Sequence, residues 1–172
     1  MNKRFVIINT FLIFGVGFLV HGLYKWFPCV LTSIFPVNES LYEHIKLIFM
    51  SSVIASSILY FVFKSKKIVI HNFTTGLFLS TFFNIIIYYL IYLPVYYKYG
   101  SNMVFTLIWY FISIIISQYI NYLIINRHNW GFNRLSLFII IGSVFILTYF
   151  TYNPLRIDFF RDPENNTYGI KK

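Results

Sequence analysis

The chain has 172 residues, of which 58% are hydrophobic and only 11% are charged, and its mean hydropathy is +0.69. This composition excludes an ordinary soluble domain, because a core of this size cannot bury so many apolar side chains and the surplus must face lipid. The net charge of +9 does not indicate a nucleic-acid partner, because it results from scarce acids and the basic residues flank apolar segments.

Five apolar segments follow one another along the chain, separated by short connections that contain charged residues or proline. Each is long enough for a helix to cross roughly 30 Å of hydrocarbon, and none shows the alternation of barrel strands. The sequence therefore predicts an all-α fold, a single integral membrane domain over residues 1–172 with five transmembrane helices. The predicted spans cover about residues 5–27, 45–63, 75–97, 103–125 and 135–152, and a short ordered tail covers residues 153–172.

The first predicted span follows two basic residues, as in a signal peptide. It is long and has no small-x-small cleavage site after it, so we expect it to be retained. Three glycines in this span, Gly15, Gly17 and Gly22, should allow another helix to approach closely.

The stretch from Val37 to Lys46, here the 37–46 stretch, carries an unusual concentration of polar groups just before the second span. Its Glu39 and Glu43 are the only acids before residue 158, and His44 lies beside them. On a continuous helix the two carboxylates share a face. Their like charges would repel each other unless a cation, a shared proton or Lys46 neutralises them.

This concentration suggests chemistry that uses carboxylates and imidazoles. The acid-base hypothesis takes Glu39, Glu43 and His44 as catalytic residues. The metal hypothesis takes a divalent cation as the cofactor. Its ligands would be His21, Glu39, Glu43, Asp158 and Asp162. The spacing matches neither His-Glu-x-x-His nor the Glu-x-x-His of di-iron bundles, and no organic cofactor is predicted.

The same stretch also has a purely structural interpretation, as the start of the second helix. Ser40 and Glu43 fit a capping box, and an alternative frame takes Asn38 as the cap with Val37 and Tyr42 as a hydrophobic staple. On this interpretation the polar residues form a hub of caps and ion pairs. The predicted hub contains Asn38, Ser40, Lys46 and Arg161.

Two later spans carry helix-packing patterns. In the second span, small residues four positions apart predict a face that packs against another helix. These are Ser51, Ser52, Ala55 and Ser56. In the fourth span an uncharged polar stripe predicts interhelical hydrogen bonds rather than a permeation path. Its members are Thr106, Tyr110, Ser113, Ser117 and Asn121.

Basic residues near the span ends predict the orientation. On the side of the N-terminus they are Lys3, Arg4, Lys64, Lys66, Lys67, Arg127 and Arg134, whereas the connections on the other side contain Lys25, Lys46 and Lys98. We therefore expect a multi-pass protein of the cell membrane with a cytoplasmic N-terminus. The four bases of the tail, Arg156, Arg161, Lys171 and Lys172, count against this orientation.

An odd number of spans places the connection after span one and the tail on the same side of the membrane. All five acids of the chain then meet at one face, together with His21 and His44. In the expected orientation this polar cluster lies on the outer face.

Three segments carry a resemblance to a known family. They are His21-x-x-Tyr24-x-Trp26, then Phe35-Pro-Val-Asn-Glu-Ser-x-x-Glu43-His44-x-Lys46-Leu47, and Asp162-Pro163 with Thr167-Tyr-Gly-Ile170 in the tail. With these segments the chain resembles a bacterial multi-pass membrane family catalogued as domain of unknown function family 6512. The resemblance implies a fold and a membrane location, and it leaves the function open.

Three classes of function fit these observations, and the sequence does not decide whether the protein is an enzyme. The first is a non-catalytic scaffold or accessory protein of the cell envelope, with the bilayer and a membrane-protein partner or a second copy as its contacts. The second is a membrane-embedded metal- or acid/base-dependent hydrolase or transferase, which requires His21 to lie within about 10 Å of a glutamate. The third is a small carrier or permease.

Overall fold

A computed structural model describes residues 2–29 and 31–170, and for residues 2, 31 and 32 it describes the main chain alone. Lys171 and Lys172, counted above among the bases of the tail, lie outside the described residues. Within these residues the chain forms five long helices and two short 3₁₀ turns. The helices are α1 (Asn2–Trp26), α2 (Leu41–Ser65), α3 (Phe73–Tyr99), α4 (Met103–Ile125) and α5 (Asn133–Tyr152), and the turns are Leu31–Ile34 and Asp158–Phe160.

All five helices are long and apolar enough to cross a membrane, which confirms the predicted all-α membrane fold. Helices α1 to α4 pack together, and α5 packs against α3 and against the turn Leu31–Ile34. Exposed apolar side chains cover the outer surface of the bundle, as expected for a surface in contact with hydrocarbon.

The predicted packing face of α2 is confirmed, because its small residues are at most 2% exposed. The polar stripe of α4 also faces inward, but its hydrogen bonds differ from those predicted. Tyr110 bonds Ser51 of α2 at 2.8 Å, whereas the hydroxyls of Ser113 and Ser117 donate to carbonyls of their own helix. Such local bonding satisfies a buried hydroxyl without a partner on another helix.

Of the three glycines in α1, Gly17 allows a close helix approach. A Cβ atom at Gly17 would lie 3.1 Å from the hydroxyl of Tyr110 in α4. Gly15 has open space around it, and the side chain near Gly22 is Trp26 of the same helix.

The tail folds back onto the start of α2. The rings of Tyr42 and Phe160 stack with centroids 4.3 Å apart, and Asn38 Nδ2 donates to the carbonyl of Gly169 at 3.0 Å. Gly169 has a φ of +58°, and a Cβ there would lie 2.3 Å from the carbonyl oxygen of Thr151, so only glycine fits. The predicted meeting of the first connection and the tail at one end of the bundle is therefore confirmed.

Candidate functional site

The local structure of the 37–46 stretch separates its two glutamates. Ser40 is the N-cap of α2, since its Oγ accepts a hydrogen bond from the Glu43 amide at 3.3 Å. The amide of Ser40 donates to Asn38 Oδ1 at 3.0 Å, so the chain turns just before the helix. The Ser40 frame of the predicted cap is thus confirmed, and the frame with Asn38 as cap is wrong.

Glu39 therefore precedes α2, and the predicted helix face shared by Glu39 and Glu43 does not form. The second hydrogen bond of a capping box, from the Ser40 amide to the Glu43 side chain, does not form. Oε2 of Glu43 instead accepts a hydrogen bond from the amide of Val37 at 3.2 Å. The two carboxylates belong to different environments.

Glu39 joins two histidines in a cluster at the end of the bundle where α1 ends and α2 begins. Its Oε2 lies 3.2 Å from Nε2 of His21 and 3.9 Å from Nε2 of His44. One ligand atom from each of the three side chains lies within 4.8 Å of the others. The side chains of Glu39 and His44 are each 19% exposed and that of His21 is 36% exposed, so the His21–Glu39–His44 cluster is partly buried but reachable.

A backbone hydrogen bond orients His44. Its Nδ1 lies 2.9 Å from the carbonyl oxygen of Ser40, and because a carbonyl only accepts, Nδ1 carries the proton. In the neutral ring, Nε2 then carries a lone pair, and it lies 3.9 Å from Oε2 of Glu39. Metal-binding histidines have this arrangement, with one ring nitrogen donating to a backbone carbonyl and the other free to bind.

Glu39 is ionised at neutral pH. The hydrogen bond from His21, supported by one from Lys25 Nζ to Oε1 at 2.5 Å, lowers the pKa of Glu39 to about 2 although partial burial opposes this shift. Lys25 was not predicted as a site residue. The signal was its position four residues after His21 on α1, which places both on one helix face.

A cavity of about 530 Å³ lies beside the cluster, between α1, α2, α3 and α4 and under the tail. His21, Glu39 and His44 line one end of it, and Glu164 of the tail lines it as well. Glu164 also was not predicted as a site residue, although its place among the acids gathered at this face was the available signal. The rest of the wall is mostly apolar or aromatic.

Glu43 lies in a second, closed network. Its Oε2 lies 2.7 Å from Nζ of Lys46, and its Oε1 accepts the hydroxyl of Thr151 at 2.8 Å. Lys46 Nζ also donates to Thr151 Oγ1 at 2.7 Å and to the carbonyl of Ser33 at 2.8 Å. The charged side chains of this Glu43–Lys46–Thr151 network are at most 2% exposed. Sequence reasoning missed Thr151, because nothing distinguishes it from other hydroxyls near span ends.

The side chains of the remaining predicted residues of the tail make their polar contacts within the tail. The side chain of Asp158 is 79% exposed, and Arg161 lies 3.9 Å from it. Asp162 is buried and accepts the amide of Glu164 at 3.1 Å and the side chain of Asn165 at 2.9 Å, which shapes the turn of the tail. Among the described residues, neither acid is part of the His21–Glu39–His44 cluster.

Comparison with known proteins gives one family. A model described as a family of unknown function, DUF6512, matches residues 1–170. No curated protein and no solved structure matches the chain.

Proposed function

The chain belongs to DUF6512, a family of unknown function, and we propose that it is a metal-dependent hydrolase of the membrane. The observation that carries the proposal is the convergence of His21, Glu39 and His44 at one end of the cavity. Glu39 and His44 are five positions apart at the start of α2, and the packing of α1 against α2 brings His21 to them.

The donor set suits zinc. Two imidazoles and one carboxylate are the protein ligands of several zinc hydrolases, which leave a fourth position for water. Ligand atoms about 2.1 Å from a tetrahedral ion are roughly 3.4 Å from one another. The distances of 3.2 Å and 3.9 Å from Glu39 Oε2 to the two Nε2 atoms bracket this value, and all three ligand atoms lie within 4.8 Å of one another, so the side chains would draw slightly closer around an ion.

The surroundings of the cluster support a catalytic rather than a closed structural site. The cavity borders all three ligands, so a water bound to the ion would face the cavity. Zinc lowers the pKa of such a water to about 7, which makes it a nucleophile at neutral pH. Lys25 shares Glu39 with the ion, and its half-exposed side chain can move into water when the ion binds.

We also place the site at the outer face of the cell membrane, with the N-terminus in the cytoplasm. This follows from the excess of basic residues in the loops on the N-terminal side. The substrate is then a lipid-linked or envelope compound. The bilayer is the partner, and a nucleic acid is not.

Metal analysis of the purified full-length chain tests the metal site. After reconstitution with zinc, wild type should retain about one ion per chain. The control His71→Ala should do the same, because His71 is exposed and lies outside the cluster. His21→Ala and Glu39→Gln should lose the ion. Equal metal content in all four proteins would refute the site.

Cobalt substitution tests whether the site is catalytic. In the cobalt protein, acetohydroxamate should change the visible spectrum, because it binds at an open coordination position. A spectrum that stays the same would indicate a closed structural site and contradict the hydrolase proposal.

A scaffold, the first of the three classes that fit the sequence, is the second candidate here, and the Glu43–Lys46–Thr151 network favours it. This network ties α2, α5 and the turn Leu31–Ile34 together with every charge paired. A protein of this kind would hold a membrane partner or a second copy. A carrier has less support, because α3 to α5 contain no acidic residue.

A further inference from the structure

We infer that the cavity takes the hydrocarbon chain of a membrane amphiphile whose anionic oxygen head group lies at the His21–Glu39–His44 cluster. This inference rests on the proposed function and names the substrate class of that site. Its evidence is the polarity, depth, opening and charge of the cavity.

The lining of the cavity changes from polar to apolar. The cluster lies at one end, at the start of α2 and the end of α1. Further into the bundle the wall consists of hydrocarbon and aromatic side chains. Among them are Phe14, Leu47, Ile48, Leu107 and Tyr88. A ligand that fits this lining has a polar head and an apolar chain.

The depth of the cavity suits the part of a lipid chain that lies next to the head group. Its lining runs along α4 from Met103 to Tyr110 and along α1 from His21 to Phe14. Seven residues of helix correspond to about 10 Å. One leaflet of the hydrocarbon core is about 15 Å thick, so the cavity covers much of a leaflet from the interface inward.

The floor of this cavity is fixed by Tyr110. Its ring packs against Gly17 of α1, and its hydroxyl is bonded to Ser51 of α2. A hydrocarbon chain inside the cavity therefore meets the ring of Tyr110 at the inner end.

The cavity reaches the surface of the bundle beside α1 and α4. Phe18 of α1 and Met103 of α4 both line it, yet they are 51% and 76% exposed. Both are apolar; Phe18 lies within α1, and Met103 is the first residue of α4. A lipid can therefore enter from the bilayer between α1 and α4 without passing through water.

With a divalent ion bound at the cluster, the charges at the polar end would favour an anionic head. A divalent ion and Lys25 together exceed the negative charge of Glu39 and Glu164. Carboxylate or phosphate oxygens would both bind there, and imidazole-bound zinc accepts either.

Photocrosslinking in nanodiscs tests this inference. The probes are diazirine-labelled palmitate, which has a carboxylate head, and the same chain on lysophosphatidate, which has a phosphate head. Leu107→Trp fills the cavity, and Ile108→Trp is the matched control, because Ile108 is 56% exposed on the same helix and does not line the cavity. Leu107→Phe repeats the test with a smaller side chain if the tryptophan variant does not fold.

At least one probe should label cavity residues of wild type and of Ile108→Trp. Labelling should fall about tenfold in Leu107→Trp, which corresponds to ~1.4 kcal/mol of binding free energy. The probe that labels identifies the head group. Equal labelling of the two tryptophan variants, or no labelling of the cavity by either probe, would overturn the inference.

Zinc content separates this inference from the proposed function. A protein that binds zinc but is not labelled in the cavity contradicts the lipid inference alone. A protein that is labelled in the cavity but binds no zinc contradicts the hydrolase proposal alone.

Discussion

The ammonium group of Lys46 lies 2.7 Å from Oε2 of Glu43, and neither side chain is more than 2% exposed. Thr151 and the carbonyl of Ser33 complete the coordination of this buried pair. Its charges are satisfied only while all of these groups remain in place. Glu39, four residues earlier, instead contacts His21 and the half-exposed Lys25 at the edge of the cavity.

The two glutamates should therefore respond differently to the same substitution. Glu43→Gln leaves the Lys46 charge buried without its counter-ion, and we expect it to lower the free energy of unfolding by roughly 3 to 5 kcal/mol. Glu39→Gln keeps an oxygen acceptor for His21 and Lys25 and leaves no fully buried charge unpaired, so it should lower the free energy of unfolding less than Glu43→Gln does, while it removes the bound metal. Thermal unfolding in detergent and metal analysis of both variants measure this. Similar loss of stability in the two variants would contradict the division into two networks.

The Glu43–Lys46 pair should show strong energetic coupling. Lys46→Met alone leaves the Glu43 charge buried and should destabilise about as much as Glu43→Gln. The double variant removes both charges, so its loss of stability should be smaller than the sum of the single losses by roughly 1 to 3 kcal/mol. A double-mutant cycle of unfolding free energies measures this coupling. Additive effects would mean that the pair contributes no interaction energy.

Lys25 should compete with the metal. Its ammonium contacts Oε1 of Glu39, so Lys25→Met should raise the affinity for zinc. The increase should be only about twofold to tenfold, because the Lys25 side chain is half exposed and solvent screens its charge. Zinc titrations of Lys25→Met and of the control Lys66→Met at low ionic strength measure the difference in affinity. Lys66 is an exposed lysine outside the cluster. Weaker binding in Lys25→Met would show that Lys25 supports the ion rather than competing with it.

The tail should be released by loss of one ring. Phe160 is 8% exposed and stacks on Tyr42, so Phe160→Ala removes the main apolar contact of the tail with α2. Without this contact the tail should detach from α2 more often and expose the bond after Arg161. We expect trypsin to cleave this bond about tenfold faster or more. Ile157→Ala, at a position 53% exposed in the same tail, is the control. Equal cleavage rates in the two variants would show that other contacts hold the tail.

The proposed topology gives a labelling pattern. In a Cys29→Ser background, Arg156→Cys should react with a membrane-impermeant maleimide on intact cells, and Lys66→Cys should react only after permeabilisation. Both positions are exposed. Reaction of both positions from one side would contradict an odd number of crossings, and the reverse pattern would invert the orientation.

Much of the fold was predictable from the sequence, because it depends on local properties. The length and apolarity of each segment predicted five membrane-compatible helices, and the small residues of α2 predicted a buried face. The parity of the spans also predicted that the first connection and the tail meet, as the bond between Asn38 and Gly169 shows. The spacing of Ser40 and Glu43 predicted Ser40 as one of two alternative caps, and the structure has Ser40.

The composition of the site was decided by the tertiary structure. The sequence identified the residue types and the end of the bundle, but it treated Glu39 and Glu43 as one helical pair. The chain instead turns at Asn38, so Glu39 meets His21, 18 positions away, while Glu43 meets Thr151, 108 positions away. Helix periodicity relates side chains only within a few turns of each other. Which distant groups reach a carboxylate depends on how the helices pack and where the tail returns, and no local pattern contains that information.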